Sequence, residues 1–157
     1  MTNKYCIIAG STKCATTALF WYLSKHASVC ASSIKETRFF LDIDYPLPIN
    51  FSCHNSSLTK YYSYFHENKP IFLESTPDYM YSPNAASNIC KQLPNKKLII
   101  LVRNPIDRFI SWYRYALQLN LLNSKSTILD FIRIQTSNYK DAKHNSQLAL
   151  EHGLFTK

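Results

Sequence analysis

Near its start the sequence reads Tyr5-Cys-Ile-Ile-Ala9-Gly10-Ser-Thr-Lys13-Cys-Ala-Thr16-Thr17-Ala-Leu19. Tyr5 to Ala9 is a short, almost continuous apolar run, the pattern of a strand. Gly10 to Lys13 is polar, and a helical pattern follows from Thr16 to His26, with Leu19, Phe20 and Leu23 forming one buried stripe. His26 falls near the carboxyl end of that helix, where the partial negative charge suits an imidazole as a cap. Strand, polar loop and helix in this order announce an α/β unit.

The remaining segments extend the same alternation. A short strand is expected at Val29 to Ala31, then a loop from Ser32 to Phe40 ending in an aromatic anchor. Asp42 to Leu58, rich in Ser and Asn and broken by Pro46 and Pro48, reads as irregular and as the candidate mobile flap. Tyr61 to His66 forms a helical aromatic cluster, Ile71 to Glu74 a buried strand, and Pro83 to Gln92 a helix with proline at its start. Lys97 to Val102 is apolar on both faces, as expected of a central parallel strand covered by helices on both sides. Asn104 caps a helix that begins at Pro105 and runs to about Asn120. Further helices are expected at Ser126 to Thr136 and His144 to Glu151. The pattern predicts an α/β, P-loop-like open parallel sheet flanked by helices on both faces, as a single domain over 1–157.

The composition agrees with one domain. Of 157 residues, 46% are hydrophobic and 14% aromatic, enough to bury a core and to exclude wholesale disorder. Only two residues are glycine, so a site that needs several residues at positive φ must take most of them from other types. The net charge of +8 is uneven: residues 85–157 carry eleven Lys and Arg against four Asp and Glu, which favours anionic partners without identifying them. Cys6, Cys14, Cys30, Cys53 and Cys90 are odd in number and form no C-x-x-C pair, against both a disulfide framework and a structural zinc site. Met1 leads almost directly into the first strand, with no room for a signal peptide, and the longest apolar stretch is far below the roughly 20 residues of a membrane helix. The chain is therefore read as cytoplasmic.

Ligands of open parallel sheets sit beyond the carboxyl ends of the strands. After the first strand, backbone N–H groups at a helix start, the hydroxyls of Thr16 and Thr17 and the ammonium of Lys13 have the chemistry of an anion cradle. The ATP-binding pattern G-x-x-x-x-G-K-[ST] does not fit, because no glycine precedes Lys13 directly. An ordinary polar turn accounts for the same residues. After the fourth strand, Arg103 and Ser111, the latter on the helical face of Asn104 and Arg108, suit a phosphate held from the side. Pairing of Arg103 with Asp107 or another carboxylate is the plain alternative.

Four segments together resemble a family. Ile7 to Leu19, with Lys13-Cys14-Ala15-Thr16-Thr17, looks like the 5′-phosphosulfate loop of sulfotransferases that use 3′-phosphoadenosine 5′-phosphosulfate, in the bacterial and heparan-sulfate-type branch. Lys35-Glu36-Thr-Arg-Phe39-Phe40 is similar to its K-E-x-x-F-F segment. Glu74-Ser-Thr-Pro77 with Tyr79 is similar to its E-x-[ST]-P-x-Y segment, and Val102-Arg103-Asn-Pro105 with Arg108 and Ser111 resembles its 3′-phosphate site. The resemblance implies that Lys13 stabilises the leaving group and that Cys14, Ala15, Thr16 and Thr17 hold the 5′-phosphate. It also implies that Arg103 and Ser111 hold the 3′-phosphate and that Glu36 is the general base. It implies the phosphosulfate nucleotide as co-substrate, no metal, and a small-molecule or glycan acceptor with a hydroxyl or amine. Neither nucleic acid nor membrane is expected as a partner. The bland alternative for Glu36 is a surface carboxylate paired with Lys35 or Arg38.

The chain departs from the family pattern in three places. Ser75 stands where some members carry a lysine that contacts the sulfuryl end. Cys14-Ala15 replaces the Gly-Gly of many cradles. Gly153-Leu-Phe155 looks like a Gly-Leu-Tyr segment that precedes the last third or more of a family domain, so the chain is expected to be short at its carboxyl end. A non-catalytic nucleotide- or polyanion-binding module is the second reading. A P-loop kinase fits less well, because the later strands end in Glu74 and Arg103 rather than in a magnesium-holding aspartate.

Overall fold

The computed structural model describes residues 3–45 and 47–141, with the side chains of 137–141 left aside. The helix expected at His144 to Glu151 and the segment Gly153 to Phe155 lie outside the described residues. The chain divides into two compact units, Met1–Val102 and Arg103–Lys157.

The first unit is built on β1 (Lys4–Gly10), whose Tyr5, Ile7, Ile8 and Ala9 are buried. With β2 (Val29–Ala31), β3 (Ile71–Ser75) and β4 (Lys96–Ile100) it forms a parallel sheet of order β2-β3-β1-β4. Helix α1 (Thr16–Ser24) joins β1 to β2, and α3 (Ala85–Gln92) lies between β3 and β4. These crossovers run in opposite directions across the sheet, and right-handed crossovers of that kind place their helices on opposite faces. Phe20 of α1 closes a core with Ile8, Val29 and Leu73; each such side chain contributes about 1.5–3 kcal/mol by leaving water. The short helix α2 (Leu58–Tyr62) and a 3-10 helix (Pro77–Met80) complete the unit.

Three expectations are corrected in this unit. The fourth strand is not central: among the described residues β4 has β1 as its one strand neighbour, and Leu98, Ile100 and Val102 are 42%, 52% and 83% exposed. An apolar run specifies a strand, but its cover depends on which elements pack on it, and local composition does not carry that information. His26 lies beyond the end of α1, where its Nδ1 accepts the Ser28 amide at 3.2 Å. Pro83 precedes α3 rather than starting it. The amide of Asn84, the residue before the helix, is instead satisfied by Asp42 Oδ2 at 3.2 Å, which also accepts from Ser82 Oγ at 2.7 Å. Burial pushes the Asp42 carboxyl up, but the hydrogen bonds from Ser82 and Asn84 outweigh it and hold the group below its ordinary range. The segment from Asp42 to Leu58 is irregular, as expected, and it is tied down: Tyr45 Oη donates to Asp78 Oδ1 at 3.1 Å, and the Cys53 amide donates to Phe39 O at 2.8 Å.

In the second unit Asn104 caps α4 (Pro105–Gln118) through Oδ1, which accepts the amides of Ile106 and Asp107 at 2.9 and 3.4 Å. Helix α5 (Ile128–Asp141) opens with a reciprocal box in which the Thr127 amide donates to Asp130 Oδ2 and the Asp130 amide to Thr127 Oγ1. Ala116, Leu122 and Phe131 form this unit's core with Phe109, Trp112 and Tyr113 around them.

Candidate functional site

The loop after β1 takes its shape from a close approach and two unusual backbone angles. A Cβ on Gly10 would lie 2.8 Å from Met80 Cβ, so the strand end touches the 3-10 helix as only glycine allows. Lys13 and Ala15 are left-handed at φ 62° and 65°, a conformation that costs a side-chain-bearing residue roughly 1–2 kcal/mol. The chain thus makes with Lys and Ala a turn for which the few glycines of the sequence are not used. Ala15 is the residue before α1, so the first amides of that helix, from Thr16 on, have no partner within the helix and carry the positive end of its dipole. Thr17 is exposed, Lys13 half-buried, and Cys14 and Thr16 buried. Of the two threonine hydroxyls expected to face a phosphate, Thr17 therefore has the open position.

Two further segments reach the same end of the sheet. Ile8 of β1 lies in register with Ser75 of β3, so the loop from Gly10 and the segment from Thr76 leave the sheet side by side. They are bonded: Ser11 Oγ and Tyr81 Oη are 2.6 Å apart, and Thr12 Oγ1 lies 3.4 Å from the same phenol. The Lys35–Phe40 segment docks on the end of β3, the Ser75 amide donating to Lys35 O at 3.2 Å and the Arg38 amide to Thr76 Oγ1 at 3.2 Å.

Glu36 stands on this docked segment with its side chain 33% exposed. Lys35 Nζ donates to Oε1 at 2.7 Å, and Arg38 Nη2 to Oε2 at 3.3 Å. The ion pairs of the bland sequence reading are thus both present. Arg38 is left-handed at φ 56° and reaches Pro48 O through Nη1 at 3.1 Å. Ser75, at the position of the family's second lysine, is wholly buried, and its hydroxyl has no partner among the described residues.

Arg103 and Ser111 belong to the second unit, Arg103 just before the Asn104 cap and Ser111 within α4. Arg103 is exposed and Ser111 half-buried.

Glu74, the head of a family-like segment in the sequence, is given no role there. Its carboxylate is fully buried at the end of β3 and accepts from the hydroxyls of Thr37, Thr76, Tyr79 and Tyr61 at 2.7, 2.6, 2.9 and 3.2 Å. Burial pushes this carboxyl above its ordinary range, and the four hydroxyls oppose that shift. Two signals in the sequence pointed to it: a carboxylate ending an apolar strand, a placement that requires partners, and the E-x-[ST]-P-x-Y segment that groups it with Thr76 and Tyr79.

A family model described as a sulfotransferase domain matches residues 3–152. The membrane-associated sulfotransferase kil1 of Dictyostelium discoideum is 32% identical over 130 residues, 80% of this chain and 25% of its own length. The bifunctional heparan sulfate N-deacetylase/N-sulfotransferase 1 of Caenorhabditis briggsae is 28% identical over 117 residues, 71% of this chain and 13% of its own. This chain therefore spans a quarter or less of either relative. A sulfotransferase crystal structure from Alicyclobacillus acidocaldarius matches with a TM-score of 0.76 at 20% identity, over 98% of this chain and 64% of that one, and shares its fold. No helix among the described residues is long and apolar enough to cross a membrane.

Proposed function

The chain belongs to the sulfotransferase domain family, and on that premise we propose that it transfers a sulfuryl group from 3′-phosphoadenosine 5′-phosphosulfate to a hydroxyl or amine. The observation that carries the reading is that the Lys13 loop and the segment bearing Glu36 are both bonded to one stretch at the carboxyl end of β3, the loop to Tyr81 and the segment to Ser75 and Thr76. The left-handed turn at Lys13 and Ala15 and the open start of α1 suit a bound phosphate.

In the proposed reaction an acceptor oxygen or nitrogen forms a bond to sulfur as the bond from sulfur to the phosphate oxygen breaks. The electron pair leaves on that oxygen, and adenosine 3′,5′-bisphosphate is the second product. Lys13 neutralises the charge developing there; the backbone of Cys14, Ala15, Thr16 and Thr17 and the two threonine hydroxyls hold the 5′-phosphate, and Arg103 and Ser111 the 3′-phosphate. Glu36 takes the acceptor's proton. To do so it exchanges an ion-pair contact for the acceptor, and partly exposed pairs are worth only about 1 kcal/mol or less, so the exchange is cheap. With Ser75 buried, Lys13 acts without a second lysine at that position. The family match crosses the boundary between the two units, and we assign 1–157 to one sulfotransferase domain. The five unpaired cysteines suit a reducing compartment, and we place the chain in the cytoplasm.

Adenosine 3′,5′-bisphosphate without magnesium is expected to raise the unfolding temperature saturably, and Lys13→Ala and Arg103→Ala to weaken that effect at least tenfold in ligand concentration. Stabilisation by ATP with magnesium and not by the bisphosphate would overturn the reading. The occupied oxygens of Glu36 favour one alternative, a binding module without turnover. It predicts bisphosphate binding with no transfer of radiolabelled sulfate to N-desulfated heparin or to hydroxyl acceptors.

A further inference from the structure

Glu74 is the most deeply placed carboxylate of the first unit, and the reaction proposed above makes no use of it. Each hydroxyl bonded to it has a single proton. Thr37, Thr76 and Tyr79 direct theirs to Oε1, at 2.7, 2.6 and 2.9 Å, so each must turn its lone pairs elsewhere. What those lone pairs meet is a run of three successive backbone amides. The Arg38 amide donates to Thr76 Oγ1 at 3.2 Å, the Phe39 amide to Thr37 Oγ1 at 3.4 Å, and the Phe40 amide to Tyr79 Oη at 3.3 Å. One carboxylate thus sets the polarity of three hydroxyls, and the three hydroxyls hold three consecutive peptide groups.

The segment so held begins one residue after Glu36. It contains Arg38, left-handed and paired with Glu36, and Phe39 and Phe40, both fully buried against Tyr61 with ring centroids 5.3 and 4.9 Å away. The aromatic contacts set the depth of the segment. They limit its rotation about its own axis less closely than hydrogen bonds do, because hydrogen bonds are directional. The hydrogen bonds to the three amides narrow that rotation, which decides where the carboxylate of Glu36 points.

We propose that Glu74 is a positioning residue: through Thr37, Thr76 and Tyr79 it orients the backbone of residues 37–40 and thereby aims Glu36 at the acceptor. This rests on Glu36 being the general base of the proposed reaction. A purely structural Glu74 would stabilise the unit without regard to Glu36.

Glu74→Leu tests it. A glutamine could keep its oxygen toward Thr37, Thr76 and Tyr79 and turn its NH2 to Tyr61, which donates to the other oxygen, whereas a leucine offers no acceptor, so the three hydroxyls lose the common target that fixes which way their lone pairs face. The readouts are transfer of radiolabelled sulfate from the phosphosulfate nucleotide to N-desulfated heparin and to hydroxyl acceptors, and hydrogen exchange at the amides of Arg38, Phe39 and Phe40. Glu74→Leu is expected to lower kcat by roughly 100-fold, the order expected for misplacing a reacting group by about 1 Å. KM for the nucleotide stays unchanged, exchange at the three amides accelerates, and no further loss follows in a Glu36→Gln background. If Glu74→Leu does not fold, Thr37→Val and Tyr79→Phe each remove one link and are measured in the same way. An equal fold-loss with and without Glu36, or unchanged exchange at all three amides, overturns the inference while the proposed function stands. Full activity of Glu36→Gln, or no transfer by the unaltered chain to any of these acceptors, overturns the base assignment and this inference with it.

Discussion

The carboxyl ends of β1 and β3, the two inner strands, lie next to each other and are built in opposite ways. Beyond β3 every polar group of the Glu74 cluster is buried and satisfied, four hydroxyls converging on one carboxylate. Beyond β1 the loop is partly exposed, bends through left-handed Lys13 and Ala15, and opens onto a helix start whose first amides have no partner within the helix. A buried, closed network resists rearrangement, whereas a strained loop with open donors gains by binding an anion. The pair suggests a division of labour, with β3 supplying a fixed reference and β1 the cradle.

The largest expected effect tests the fixed side. Glu74→Ala leaves four buried hydroxyls without their acceptor and should destabilise the chain by about 3 kcal/mol or more in urea unfolding at neutral pH; a loss under 1 kcal/mol would mean the network is dispensable. Its pH dependence has a definite sign. Because the folded carboxyl of Glu74 sits above its ordinary value of 4.5, its contribution is fully present below that value and declines as pH rises through the folded pKa. Asp42, held below its ordinary 3.8, has the reverse sign, its contribution being lost as pH falls. Stability curves of Glu74→Gln and Asp42→Asn against the unaltered chain should therefore diverge in opposite directions on acidification.

Intermediate in size is Gly10→Ala, which drives a methyl group to 2.8 Å from Met80 Cβ and should cost about 1–3 kcal/mol. It should also weaken bisphosphate binding, since the loop and the 3-10 helix would be pushed apart. Binding at unchanged affinity would show that the cradle does not depend on that contact. Smallest, and opposite in sign, is Ala15→Gly. Relief of the left-handed strain at φ 65° exceeds the added flexibility of glycine by about 0.5–1 kcal/mol, which should raise the unfolding temperature by roughly 1–4 °C. A lower unfolding temperature would place the strain elsewhere in the loop.

Much of the frame was legible because its signals are local. The apolar run ending at Ala9, the start of α1 at Thr16 and the Asn104 cap before Pro105 each depend on residues within a few positions of one another, and the structure has all three. The edge position of β4 was not legible, since an apolar strand looks the same in sequence whether it has one neighbour or two. Of the candidate site, Lys13 and Glu36 could be singled out by chemical type and family resemblance. Pairing of Glu36 with Lys35 or Arg38 was legible as an alternative, because both are sequence neighbours; that both engage it at once was not.

By itself the sequence determined an α/β sheet, a cationic polar loop between its first strand and helix, and a family resemblance carried by four short segments. Tertiary structure alone decided that Thr37, Tyr61, Thr76 and Tyr79 meet on Glu74, with Thr37 37 positions away along the chain. It also decided that their hydroxyls then hold the backbone beside Glu36. Local propensities act over one or two turns of chain, whereas a buried charge must find its donors wherever the packed fold places them.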